Sequence, residues 1–171
     1  MTSLETYLGT HLRYSVWASR RVLHALGDLT PEEYGRELLE GLSLRAVAEQ
    51  LFEGDRNWFE LLAGEPSGLE APGPYTELPD LQLDYRDLLR QLETLAFFLD
   101  DLELAGHFAQ DAVLVPWLGE FVPKLQAALA AVSDATHRRG QLALLLRQLG
   151  RPVPRLGMAH FFLDLENPAS R

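Results

Sequence analysis

The chain has 171 residues, enough for one domain with a substantial core and too few for two of ordinary size. It contains no cysteine, which excludes disulfide scaffolds, thiolate zinc sites and cysteine nucleophiles. The net charge of −10 opposes binding to phosphate backbones, and no apolar run approaches the ~20 residues that cross a bilayer. The N-terminus lacks the basic-then-apolar plan of a signal peptide, so a soluble cytoplasmic protein is expected.

Among the aliphatics there are 36 Leu, 8 Val and no Ile. Branching at Cβ favours strands and costs rotamer freedom in helices, so this balance points to an all-α protein. The charge is also uneven: residues 1–122 carry 8 basic and 22 acidic side chains, residues 123–171 carry 7 and 3.

In chain order, Thr2 and Glu5 read as a capping box for a first helix that runs to Leu26 and stops at Gly27. Leu8, His11, Ser15, Ala18, Val22 and Leu26 fall on its inner stripe. Thr30, Pro31 and Glu33 begin a short second helix bracketed by Gly35 and Gly41. Ser43 opens a long helix that carries Val47, Leu51, Trp58, Leu61 and Leu62 inward and ends at Gly64. Residues 64–80 hold four Pro and three Gly and are expected to cross the molecule as a loop. The next long helix is expected from Asp80 to Ala105, followed by an irregular stretch over 106–122 with one extended piece at Ala112–Val115. Pro123 starts the last long helix, which ends at Leu149–Gly150, and a further helical turn is expected around Met158–Leu165. Four long apolar stripes pack as an up-and-down four-helix bundle with long crossover loops and a short extra helix, one domain over 1–171.

Two places carry chemistry. On the last long helix, Asp134, His137, Arg138 and Gln141 share one side at ~100° per residue, among Ala127, Ala131, Leu142 and Leu145. Asp134 and Arg138, at i and i+4, are placed to pair, either at a helix edge or in a polar core pocket. On the Ser43 helix, Gln50 stands at the stripe's margin one turn before Gly54, whose lack of a side chain suggests close packing or room for a ligand. His11 lies mid-stripe on the first helix, where a hydrogen-bonded core histidine is the plain reading.

These segments resemble a known family. Tyr14-Ser-Val-Trp17-Ala-Ser-Arg-Arg21 with Leu29-Thr-Pro-Glu-Glu is similar to the opening of the DinB/YfiT-like superfamily of four-helix bundles. Leu44–Trp58 resembles its second-helix segment, and Thr136-His137-Arg138-Arg139-Gly140-Gln141 its His-His-Arg-Gly-Gln signature. The resemblance implies a nickel or zinc ion held by one histidine from the second long helix and a His-x-x-x-His pair from the fourth. Those positions fall on Gln50, Asp134 and Arg138, so the implied metal site is degenerate and no metal is expected. Arg138 is expected to hold the ion's place against Asp134. A set of His11, Asp134 and His137 is the alternative ligand group.

The resemblance further implies a stress-response or detoxification role, DNA-damage-inducible in some relatives. Its activity would be a metal-dependent transfer of a low-molecular-weight thiol or a metal-dependent hydrolysis. The competing reading is a non-catalytic small-molecule-binding or structural protein without metal. Both readings allow a homodimer, with neither nucleic acid nor membrane as partner.

Overall fold

The computed structural model describes residues 4–69 and 74–166; the expected Thr2 cap falls outside them. Four long helices form the body: α1 (Leu4–Leu26), α3 (Leu44–Ala63), α4 (Leu78–Phe98) and α6 (Lys124–Gln148). Shorter ones are α2 (Pro31–Gly35), α5 (Leu102–Gln110) and α7 (Met158–Glu166). Two antiparallel pairs complete the described residues, β1 (Glu37–Leu39) with β2 (Leu42–Ser43) and β3 (Ala112–Val115) with β4 (Glu120–Pro123). The all-α bundle expected from leucine periodicity is the fold the chain adopts.

Helix boundaries follow local chemistry. Thr30 Oγ1 accepts from the Glu33 amide while the Glu33 carboxylate accepts from the Thr30 amide, the reciprocal cap expected there. Ser43 Oγ accepts from the Ala46 amide at the start of α3, and Gly64 closes that helix with φ of 76°, a backbone conformation that glycine adopts without steric cost. The helix expected over 80–105 is instead two. Asp101 accepts from the amides of Glu103 and Leu104, so its side chain starts α5 where a continuous α4 would have continued. His107 and Phe108 are therefore helical rather than part of an irregular stretch.

Each long helix packs against two others, α1 against α4 and α6, and α3 against α4 and α6. The long helices α1 and α3 thus occupy opposite corners, as do α4 and α6. The two diagonal connections carry α2 with β1–β2 and α5 with β3–β4. The proline-rich loop joins neighbours, and Glu60 holds it by accepting from the Ser67 amide and hydroxyl. No described helix is long and apolar enough to cross a membrane.

The α1–α4 contact is close enough to require glycine. A Cβ at Gly9 would stand 2.9 Å from the Ala96 carbonyl oxygen and 3.0 Å from Asp100 Oδ1, the latter bonded to Arg13. Gly9→Ala should therefore destabilise by about 1–2 kcal/mol despite its better helix propensity, because overpacking outweighs the entropy gained. Urea unfolding measures it; a neutral or stabilising result would mean the two helices separate freely.

Candidate functional site

A polar network crosses the otherwise apolar centre of the bundle. Arg139 of α6 is 1% exposed, and its guanidinium reaches α1: Nη1 donates to Ser15 Oγ at 2.9 Å and Ser19 Oγ at 3.0 Å, and Nη2 to Thr136 Oγ1 at 2.9 Å. The planar fork lets one side chain satisfy three hydroxyls, and its Cζ stands 5.7 Å from the Tyr14 ring centroid. Across the core, the Tyr85 hydroxyl of α4 donates to Asp55 Oδ2 of α3 at 2.5 Å and lies 3.1 Å from Ser19 Oγ. Tyr85 has one proton and gives it to the carboxylate, so Ser19 supplies the proton of that second contact. All four long helices are joined through this chain of bonds.

Asp55 is 7% exposed. Burial pushes its carboxyl up to about 6, against the lowering effects of the Tyr85 hydrogen bond and the Arg139 charge; the charge of Asp134 raises it further. Tyr85 is itself held well above the usual phenol range by burial and by the facing carboxylate.

Beside Asp55 a pocket of about 240 Å³ opens between α3 and α6. Asp55 and Trp58 are its buried walls, with Arg138 half-buried and Gln50, Asp134 and His137 exposed at the mouth. The structure thus brings Gln50, Asp134, His137 and Arg138 around one space. Gln141 belongs to the same group through its carbonyl oxygen, which accepts from Arg138 Nη1 at 3.1 Å.

Two expectations are corrected. Asp134 and Arg138 form no ion pair among the described residues: Asp134 Oδ2 accepts from the Trp58 indole at 3.0 Å, and Arg138 is turned to Gln141. Each has a neutral partner, and with Asp134 exposed, water weakens the attraction that would draw them together. His11 does not reach the pocket; it sits on α1 with Nδ1 2.8 Å from the Tyr7 carbonyl oxygen of its own helix. The set of His11, Asp134 and His137 is therefore not assembled, and no group of three His, Asp or Glu among the described residues is placed to hold a metal.

Trp58 is fixed from two sides, by Asp134 and by the edge-on ring of Trp117 from the β3–β4 hairpin, 4.9 Å between centroids. Gly54 lines the pocket, and a Cβ built there meets nothing within 4 Å. Its smallness therefore leaves space rather than permitting close packing. Gly54→Ala should stabilise by up to about 1 kcal/mol through helix propensity while narrowing the pocket, as read by thermal melting. A destabilised variant would show that the space is not there.

A larger cavity of about 760 Å³ lies between α1, α4, α7 and the Arg151–Pro154 segment. Its arginines are matched inside the fold: Arg13 with Asp100, Arg20 with Glu93, Arg21 with Asp164 and Arg151 with Glu33. The α3–α6 pocket differs in presenting charges of both signs without an ionic partner among the described residues.

As a donor set, Gln50, Asp134 and Arg138 do not fit a divalent ion. A carboxylate coordinates well and an amide oxygen weakly, but a guanidinium has no lone pair to offer and repels a cation. The sequence model of the DinB family matches residues 2–162, and the chain belongs to that family, which is generally associated with metal binding. No curated protein matches the chain.

Proposed function

We propose that this DinB family member binds a small polar molecule in the α3–α6 pocket without a metal ion and without metal-dependent catalysis. The observation that carries the reading is the behaviour of Asp134 and Arg138. They stand one turn apart on α6, face one pocket, and bond to neutral neighbours instead of each other. A ligand-free ion pair would have closed the space; two separately held charges keep it open to an occupant. At about 240 Å³ the pocket is below the ~300–1,000 Å³ of drug-sized sites, so the occupant is small. Low-molecular-weight thiols fall within this class only in their smallest, amino-acid-sized forms.

Protein purified without a histidine tag should contain nickel and zinc far below one per chain, and EDTA should leave its melting temperature unchanged. A stoichiometric ion whose removal lowers the melting temperature would overturn the reading and revive a metal-dependent transferase or hydrolase with a ligand set other than Gln50, Asp134 and Arg138.

A further inference from the structure

The chemistry of the walls narrows the occupant, on the premise that the pocket binds a small molecule at all. Asp55 is more than nine-tenths buried, and only its Oδ2 is hydrogen-bonded among the described residues; Oδ1 has no partner there. Asp134 adds a second carboxylate close enough to raise the first, and the Trp58 ring stands beside both. Two carboxylates with an aromatic face attract a monovalent ammonium, by charge, hydrogen bonds and cation–π contact. Facing them, Arg138 offers a half-buried guanidinium that, among the described residues, donates to a neutral amide.

Single-charge ligands leave one side of this arrangement unanswered. A phosphate or simple carboxylate at Arg138 would meet two carboxylates, and a simple amine would leave Arg138 uncompensated. A divalent metal is repelled by Arg138. Residues four apart on a helix are separated by ~6 Å along the axis, a span that an ammonium and a carboxylate attached to one carbon bridge when each sits at hydrogen-bond distance from its partner. We infer that the pocket takes an amino-acid-like zwitterion, its ammonium between Asp55 and Asp134 and its carboxylate on Arg138. Leu51 and Ala135, both buried in the pocket wall, then face the remainder of the molecule and favour a compact apolar substituent.

Calorimetric titration with L-methionine, L-methionine amide and N-acetyl-L-methionine separates the two contacts. The zwitterion should bind at least tenfold more tightly than either derivative. Arg138→Gln should remove the advantage over the amide by weakening the zwitterion without weakening the amide, and Asp134→Asn should reduce the advantage over the N-acetyl compound. Both side chains lie at or near the surface, so unchanged melting temperatures in these variants establish that the fold is intact. L-Valine and L-cysteine in parallel test whether a thiol is required; equal affinity for the two supports a zwitterion pocket, and binding of L-cysteine alone overturns it in favour of a thiol site. Equal binding of all three methionine compounds would also overturn the inference. So would an NMR shift of the Trp58 indole by butylamine or propionate but by no zwitterion, and that result would leave the binding pocket itself standing. No shift by any of these probes in protein carrying a stoichiometric metal would sink both readings.

Discussion

Arg139→Ala should cost about 3–5 kcal/mol of folding stability, the largest loss of any single polar substitution in the bundle. The side chain is fully enclosed, and its two terminal nitrogens bind hydroxyls on two helices. Truncation strands the Ser15, Ser19 and Thr136 hydroxyls, leaves a cavity too apolar at its Tyr14 wall to be filled well by water, and takes away the positive charge that partly offsets Asp55. Arg139→Lys keeps the charge but offers a point donor where the structure uses a planar fork, so it should recover about half of the loss. Arg139→Met restores most of the volume and none of the bonds. If Met were as stable as the wild type, packing rather than hydrogen bonding would be what Arg139 supplies. Urea denaturation of the three variants decides among these, and a loss below ~1 kcal/mol for alanine would place the guanidinium in solvent.

That this arginine was not legible in the sequence has a geometric cause. Adjacent arginines at 138 and 139 lie ~100° apart on the helix, and a wheel centred on Asp134 brings the first inward. Among the buried side chains of α6, which also include Ala127, Ala131 and Leu145, the row Ala128, Val132, Ala135, Arg139, Leu142 and Leu146 keeps a regular three-and-four spacing with Arg139 in its seam. Reading that seam requires accepting a buried cation, which becomes tolerable only when the partners on α1 are known. Ser15 and Ser19, one turn apart, were the available signal, and Ser15 was already on the expected stripe. Asp55 and Tyr85 were missed for the same reason, since their bond joins residues on α3 and α4 that no local pattern relates.

Capped ends were legible because caps are local. Thr30 with Glu33, Ser43 and Gly64 each fix a boundary through bonds within a few residues. The β3–β4 hairpin was half legible: Ala112–Val115 reads as extended, but its partner Glu120–Pro123 is found only through the pairing. The family positions Gln50, Asp134 and Arg138 came from resemblance, and what they do is set by neighbours that the resemblance does not specify, Trp58 and Gln141 foremost.

Asp55→Asn should stabilise the protein at pH 8 by up to about 3 kcal/mol and abolish the pH dependence that Asp55 confers, while weakening ligand binding. Burial lifts the carboxyl from its ordinary 3.8 to about 6 in the fold, so between those limits the folded state holds the proton more tightly than the unfolded chain. Stability from this group is complete below pH ~4 and is lost as pH rises through ~6, and at ~1.4 kcal/mol per unit the loss is about 3 kcal/mol. The groups acting on it are Tyr85 from α4 and Arg139 and Asp134 from α6; the first two favour the ionised form, yet burial outweighs them. Asparagine keeps the acceptor for Tyr85 and cannot ionise, so the cost disappears. Glu33 acts mainly in a different window: its bonds to Arg151 and Thr30 lower it from 4.5 to about 2, so its contribution is present at neutral pH and is lost as pH falls from 4.5 through about 2. On the proposed reading a bound ammonium offsets this cost, so its binding should weaken as pH falls below ~6. If Asp55→Asn instead destabilised by more than ~1 kcal/mol at pH 8, the ionised group would be a net structural asset paired with Arg139. The strongest reason for expecting an ammonium beside it would then be gone.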